Sequence, residues 1–498
     1  MKKLSYIILF VFISVTTWGQ NIKDALNLSD YRIQGTARSA AMGNAFGALG
    51  GDFTSASINP AGIGIFRSNE FEFTINQAST DQNANYLDNQ TSASRSWMSI
   101  PNMGYVATFK TNSPSMVSFN IGLGYNRMRD FNNRITVRGD NANSSMLDEF
   151  VDNANVVANF YDNLDDKRDN LNDYYEKLAN ETGVLPLDPI SGIFWNDLEN
   201  GDYGQSQRKS IIHKGGINEY IFSMAANFNH RFYLGATIGI QDVYFKESTS
   251  FIEEDTQNNI AVFNSYDFRT YQKTTGTGIN LKIGAIYKPI PALRLGLAIH
   301  TPTYYNLHDY FYTGMNSSIT NDNGTVDEYE AGSPYSDYNY DFHNPMEVIL
   351  SAAYVIGNKG LISVDYEYKD YSNGEFSSDN WNEDDSDFDY VNSDIENSYK
   401  SAGNLHIGGE FRPNENFSVR GGFEYYQSPY ESNQINSDSN TKTYSMGIGW
   451  QMNGFFADLT YKNLQRDNYI YLYNTTTAEP AKIKKDRDSF IMTIGFRF

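Results

Sequence analysis

The sequence predicts an all-β fold, a transmembrane antiparallel β-barrel of about fourteen strands with an N-terminal plug, or hatch, in its bore and a partly helical outer loop. Three observations predict it. Residues Asp488 to Phe498 alternate without a break, with Phe490, Met492, Ile494, Phe496 and Phe498 on one face and Ile491, Thr493, Gly495 and Arg497 on the other. A two-residue period that ends on an aromatic suits a closing strand turning its oily side to lipid. The same pattern recurs along the chain, and the connections between the alternating segments are by turns short and long.

Residues 1–19 read as a secretory signal: Lys2 and Lys3, an apolar run from Tyr6 to Val15, then Thr17, Trp18 and Gly19. An anchoring helix is the alternative, but the run falls short of the roughly 20 residues that a bilayer crossing needs. No later stretch is as apolar, which argues against a helical membrane protein. The chain has no cysteine, so disulfides and thiolate metal sites are excluded. Its formal charge of −22, more negative still once Lys2 and Lys3 leave, makes nucleic acid a poor partner. The 37 Tyr and 32 Phe, in a chain of negative mean hydropathy, fit membrane interfaces and half-polar strands better than a thick soluble core.

Alternating segments assign residues 69–498 to the barrel wall. They fall near 69–79, 101–111, 116–138, 217–230, 232–247, 266–289, 292–312, 342–356, 360–371, 397–412, 416–428, 440–452, 454–468 and 484–498. Tyr444, Met446, Ile448, Trp450 and Met452 face one way, for example, and Ser445, Gly447, Gly449 and Gln451 the other. Tight turns rich in Gly, Pro, Asn or Ser occur around 112–115, 229–231, 289–291, 357–360, 413–416 and 453–454. Long polar connections are expected near 80–96, 139–216, 248–265, 313–341, 372–396, 429–439 and 469–483. A soluble sandwich would alternate too, but it has no reason to segregate loop lengths; short below and long above is the outer-membrane rule.

The long connections carry much of the acid, with Asp379, Glu383, Asp384, Asp385, Asp387 and Asp389 in one and Asp327, Glu328 and Glu330 in another. A solvated face explains them. Divalent cations bridging lipopolysaccharide are the sharper alternative, without EF-hand spacing to support it. Within 139–216, Ser145 and Asp148 form a capping box ahead of Leu147, Phe150, Val151, Ala154, Ala158, Tyr161 and Leu164 at helical spacing. Their stripe suits packing on the barrel rim, and a ligand groove is the other use.

Residues 20–68 are unlike the rest. Ser39 to Gly64 is dense in Gly, Ala and Ser, which lets backbone approach backbone, and Asn59-Pro60 before Ala61-Gly62 forces a turn. A barrel of about fourteen strands has a lumen too wide for its own side chains to fill, so a compact N-terminal plug meets a physical need. The run from Ser39 through Gly43, Ala45, Gly47 and Asp52 to Asn59, Pro60, Ala61 and Gly62, ahead of these strands and a terminal Phe498, resembles the FadL/TodX family of outer-membrane transporters for long-chain fatty acids and other hydrophobic compounds. The likeness covers nearly the whole mature chain, and its most specific part is the Asn-Pro-Ala turn. It implies a hatch motif of Gly43, Gly47, Asn59, Pro60, Ala61 and Gly62. It also implies a lateral exit at a kink in the third strand, here near Asn126 to Asn133. The acidic loops and the insertion at 139–216 depart from the family.

A fatty-acid carboxylate in a dry lumen requires a cation or several donors. Inward Lys282, Arg294, His300, Arg412 and Arg420 are the candidates, unless they pair with inward acids such as Glu410, Glu424 and Asp458. There is no HExxH, Walker loop or CxxC, so an enzyme is not expected and no cofactor or metal is implied. His300 and His308, near Tyr304, Tyr305 and Asp309, could form a rim acid–base pair or ligate haem; ordinary loop residues fit as well. The expected function is passive uptake of hydrophobic small molecules, fatty acids foremost, across the outer membrane of a Gram-negative bacterium. The expected partners are that ligand, outer-membrane lipid and lipopolysaccharide, and a barrel-assembly machinery reading Phe496 and Phe498. The rival readings are a structural or secretion-platform barrel and haem uptake.

Overall fold

The computed structural model describes residues 22–200, 203–321, 323–380, 385–473 and 478–498. The signal at 1–19 lies outside them, as do Glu383 and Asp384 of the acidic connection. In chain order the strands are β1 (Glu70–Tyr86), β2 (Asn89–Lys110), β3 (Met116–Asp130), β4 (Asn133–Gly139), β5 (Ser206–Phe228), β6 (Phe232–Glu254), β7 (Phe263–Ile290), β8 (Leu293–His300), β9 (Tyr304–Thr320) and β10 (Val326–Gly332). They continue as β11 (Ser336–His343), β12 (Glu347–Ile356), β13 (Gly360–Asp370), β14 (Glu375–Ser377), β15 (Ser401–Phe411), β16 (Phe417–Tyr426), β17 (Thr441–Met452), β18 (Phe455–Tyr471) and β19 (Pro480–Arg497). Together they make one closed antiparallel barrel of fourteen wall strands, several of them built from two consecutive segments. Closure comes from β1, which pairs with β2 on one side and β19 on the other.

The last strand shows the physics of the wall. Phe490, Met492, Ile494 and Phe496 are 56, 43, 37 and 50 % exposed, while Ile491 and Thr493 between them are almost fully buried. The oily outer face recurs at Leu295, Leu297 and Ile299 and at Met446, Ile448 and Trp450. An apolar band encircling the molecule is far larger than a water-soluble monomer exposes, and it fits hydrocarbon. Among the described residues no helix is long and apolar enough to cross a membrane.

Two of the expected long connections are instead tall wall. Residues 80–96 belong to β1 and β2, which continue to a two-residue turn at Leu87-Asp88, both with positive φ. Such a turn joins twisted strands directly, and its usual Asn-Gly signature is missing here. Likewise most of 313–341 is strand, with β9 running to Thr320 and pairing with β7, β10 and β11. The reason is chemical. Beyond the lipid the outward positions Asp81, Asn83 and Asn85 are polar, so hydropathy stops alternating while the backbone stays extended.

One junction of the wall is incomplete. The strand following β2 breaks at Phe131-Asn132, with a register shift at Arg127/Arg129 just before it. Ladder pairing between β2 and β3 runs only from Asn102↔Asn126 to Lys110↔Ser118, and among the described residues β2 and β4 share no ladder. Pro101, which lacks an N–H, sits where the ladder stops. Side chains bridge the seam above it: Thr91 Oγ1 donates to Thr136 O at 2.7 Å, and Trp97 Nε1 to Asp130 Oδ2 at 3.0 Å.

Residues 22–66 lie against the inner wall. Helices α1 (Ile22–Ser29), α2 (Ala37–Ala41) and α3 (Ser55–Ile58) and a 3₁₀ turn at Pro60–Ile65 are linked by tight loops. Backbone N–H groups of Ala37, Gly47 and Phe53 donate to Thr493 of β19 at 2.7 Å, Asp365 of β13 at 2.7 Å and Glu72 of β1 at 3.0 Å. From β3, Asn120 donates to the Ile63 and Phe66 carbonyls at 2.9 and 3.0 Å. The contacts are close because inward wall positions are glycine. A Cβ at Gly284 would strike the Asn59 side chain, one at Gly235 the Pro60 carbonyl, and one at Gly408 or Gly422 the Met42–Gly43 backbone.

The connection from 140 to 205 carries α4 (Met146–Ala158), α5 (Leu164–Asp169), α6 (Glu176–Glu181) and α7 (Asp197–Asn200). Ser145 and Asp148 cap α4 reciprocally, and its Leu147, Phe150, Ala154 and Ala158 pack with Tyr86, Val137, Phe251, Phe268 and Ile483 from the upper strands. Helix α8 (Asp389–Ser398) adds Ile395 to a second apolar cluster, which includes Leu26 and Leu28 of α1, Phe342 and Phe376.

Gly408→Val and Gly422→Val each force side-chain volume into the N-terminal segment, with an expected cost of about 1–3 kcal/mol. Heat-modifiable migration on gels should persist while trypsin gains access at Arg38. Deleting Phe498 removes its two backbone bonds with Asn69, at 3.0 and 3.1 Å, at the point of closure. Thermal unfolding in neutral detergent should show a loss of about 1–2 kcal/mol.

Candidate functional site

Among the cavities within the barrel, two flank the N-terminal segment, one below it and one above. The lower, of about 510 Å³, is bounded by Thr36, Arg38, Leu49–Asp52 and Ile65–Ser68 and by the short-turn ends of the strands. Its charge is balanced: Arg38, Arg67, Arg294, Arg412, Arg420 and Arg497 face Asp52, Glu70, Glu72, Glu410, Glu415 and Asp458. Glu410 alone receives Arg38 at 3.3 Å, Arg420 at 2.7 Å and Arg412 at 2.6 Å.

The five cations expected to receive a ligand do not form one site. Arg294, Arg412 and Arg420 line the lower cavity, where Arg294 donates to Leu49 O at 2.7 Å and Arg420 also bonds Asp458. Lys282 is buried in an ion pair with Glu219. His300 hydrogen-bonds Ile58 O at 2.9 Å and lies 3.2 Å from Glu347, which Lys369 also pairs at 2.8 Å. Each of the five is therefore held by the protein itself. His308 pairs with exposed Asp337 at 2.6 Å, well outside the bore. No group of three or more His, Asp or Glu among the described residues is arranged to hold a metal ion.

In the N-terminal segment, Gly43 adopts a positive φ beside Phe423, and Gly47 packs on Ser351. The Asn59 side chain holds the turn from both ends. Its amide donates to Gly47 O at 2.6 Å and Ala285 O at 3.2 Å, and its carbonyl accepts from Ala61 N at 3.1 Å, with Pro60 opening the 3₁₀ turn. Gly62 lies directly against Gly50. At the terminus Phe496 meets Phe455 at 5.0 Å between ring centres and Phe498 stacks with Tyr105 at 6.4 Å.

The upper cavity, of about 110 Å³, has a different chemistry. Arg32, Arg129, Lys462, Arg466, Lys485 and Arg487 line it, against only Asp30 and Asp130. Burial pushes the Asp30 carboxyl up, but Arg32 and Arg129 together overcome this and hold it well below the usual range. Arg487 donates to Asn132 O at 3.1 Å and stacks 5.0 Å from the Trp97 ring, so the cavity abuts the wall break. None of these six cations was among the five candidates. Their signal was nonetheless present: the inward parity of the last strand, counted back from Thr493 and Ile491, passes through Ser489 to Arg487 and Lys485.

No family model matches the chain, and no curated protein matches it. Solved structures do. A Pseudomonas aeruginosa FadL homologue matches with a TM-score of 0.53 at 13 % identity, over 94 % of this chain and 99 % of that one. The Pseudomonas putida toluene transporter TodX matches with a TM-score of 0.50 at 12 % identity, over 93 % and 98 %. A TodX mutant described as a monoaromatic hydrocarbon channel matches with a TM-score of 0.50 at 12 % identity, over 94 % and 99 %. With the closed wall and the small-residue N-terminal segment, this likeness over nearly the full length of both chains establishes that the protein has the fold of the FadL and TodX barrels.

Proposed function

We propose that the protein is an outer-membrane channel of a Gram-negative bacterium that takes up hydrophobic small molecules passively, with long-chain fatty acids as the leading class. The observation that carries this reading is the incomplete junction between β2 and the β3–β4 strand in a barrel whose outer face is oily. A solute leaving there enters lipid without crossing water. Residues 20–68 act as the hatch, the bonds of Ala37, Gly47 and Phe53 to the wall holding it in place against water and ions. The fold likeness to structures described as a FadL homologue, a toluene transporter and a monoaromatic hydrocarbon channel supports the same class of cargo. Phe496 and Phe498 serve as the assembly signal at the closing strand.

A second reading, a structural or secretion-platform barrel, draws on the balanced arginine–carboxylate lining of the lower cavity. The two separate at the seam. Deleting Phe131 and Asn132 fuses β3 to β4 while keeping the alternation in phase, because two residues restore parity. Uptake of labelled oleate by cells producing this variant should fall about tenfold with barrel levels unchanged, the scale of losing one favourable step of ~1.4 kcal/mol. Unchanged uptake of oleate and of toluene would favour the platform.

A further inference from the structure

We infer that the upper cavity is a binding site for a polyvalent oxyanion of the phosphate type. In a chain of net charge −22, its lining gathers six cations against two carboxylates. The two carboxylates are already engaged: Asp30 pairs with Arg32 at 3.1 Å and Arg129 at 3.2 Å, and Asp130 pairs with Arg127 at 3.3 Å. Lys462 is satisfied by Glu424 at 2.7 Å, and Arg487 by Thr80 Oγ1 at 3.0 Å and Asn132 O at 3.1 Å. Arg466 and Lys485 differ. Among the described residues neither side chain makes a hydrogen bond or ion pair, and the Arg466 Nε is buried without a partner.

These two residues face each other directly across the β18–β19 ladder, with Arg487 next but one along the same inward row. Like charges in that position repel, so the pair raises the free energy of the empty barrel. Such an arrangement is accounted for if an anion completes it. One carboxylate would leave much of the excess charge unbalanced, whereas a phosphate group carries about two charges and several acceptor oxygens that suit guanidinium forks. Size points the same way. At about 110 Å³ the cavity is below the roughly 300 Å³ at which drug-sized pockets begin, so it fits a small oxyanion or a headgroup but not an acyl chain. The site does not depend on what crosses the seam.

The test uses the full mature chain in an uncharged detergent, with Trp97 fluorescence and calorimetry as readouts and inorganic phosphate, dodecyl phosphate, acetate and laurate as probes. Inorganic phosphate should bind about tenfold or more tightly than acetate, and R466Q/K485Q should weaken phosphate by a similar factor. Phosphate should also raise the melting temperature of the native protein and not that of R466Q/K485Q, while the variant without phosphate should melt higher than the native protein without it. Dodecyl phosphate binding well above inorganic phosphate identifies a lipid headgroup as the source; equal binding identifies free phosphate. Phosphate binding no tighter than acetate, or undiminished in the variant, overturns the site. Neither result bears on oleate uptake, so the two readings fail separately.

Discussion

A polypeptide wall in hydrocarbon has no water with which to satisfy its backbone, so each N–H and C=O in the lipid layer needs a partner in the wall itself. Pairing β1 with β19 meets that demand by leaving no free edge. Its geometric consequence is a cylinder wide enough to need filling, and most of the remaining architecture answers that need. Residues 22–66 fill the middle with backbone set directly on inward glycines, and the helices of 140–205 fill the upper mouth with side chains. The small residues of the N-terminal segment and the glycines of the strands are two halves of one packing solution. Neither is informative without the other.

The same demand explains why the seam beside β2 stands out. Where Pro101 ends the ladder and Phe131-Asn132 interrupts the neighbouring strand, the gap is bridged by the side chains of Thr91, Trp97 and Asp130 instead of by ladder bonds. A junction held by side chains opens at lower cost than one held by a run of ladder bonds, since rotamers move without breaking the sheet.

Strand number, inward and outward faces and the short turns were legible in the sequence because lipid imposes a period-two code on the residues that touch it. The legibility ended where the lipid ended. Residues 80–96 and most of 313–341 read as loops because Asp81, Asn83 and Asn85 carry no oily alternation, yet they are wall. The break near Asn126 to Asn133 was expected from the family resemblance, and a polar interruption marked its place. The charged sites were harder. Parity identified Lys282, Arg294, His300, Arg412 and Arg420 as inward-facing, but the partners that occupy them, such as Glu219, Glu347 and Glu410, come from other strands, and register across strands is not written in a single segment. The cluster of Arg32, Arg129, Arg466, Lys485 and Arg487 was missed for the same reason, being assembled from the N-terminal segment and three separate strands.

The meeting of Asn69 with Phe498 has a temporal meaning as well as a spatial one. The first strand in the chain finds one of its two neighbours only in the last strand, so the cylinder cannot seal until that strand is in place, and its contact order is intrinsically high. The segment preceding that first strand must by then be folded small and lying between the unsealed edges, because afterwards the ladders of the wall stand in its way. Maturation of this protein is therefore a problem of enclosure, in which the contents have to be in place before the container shuts.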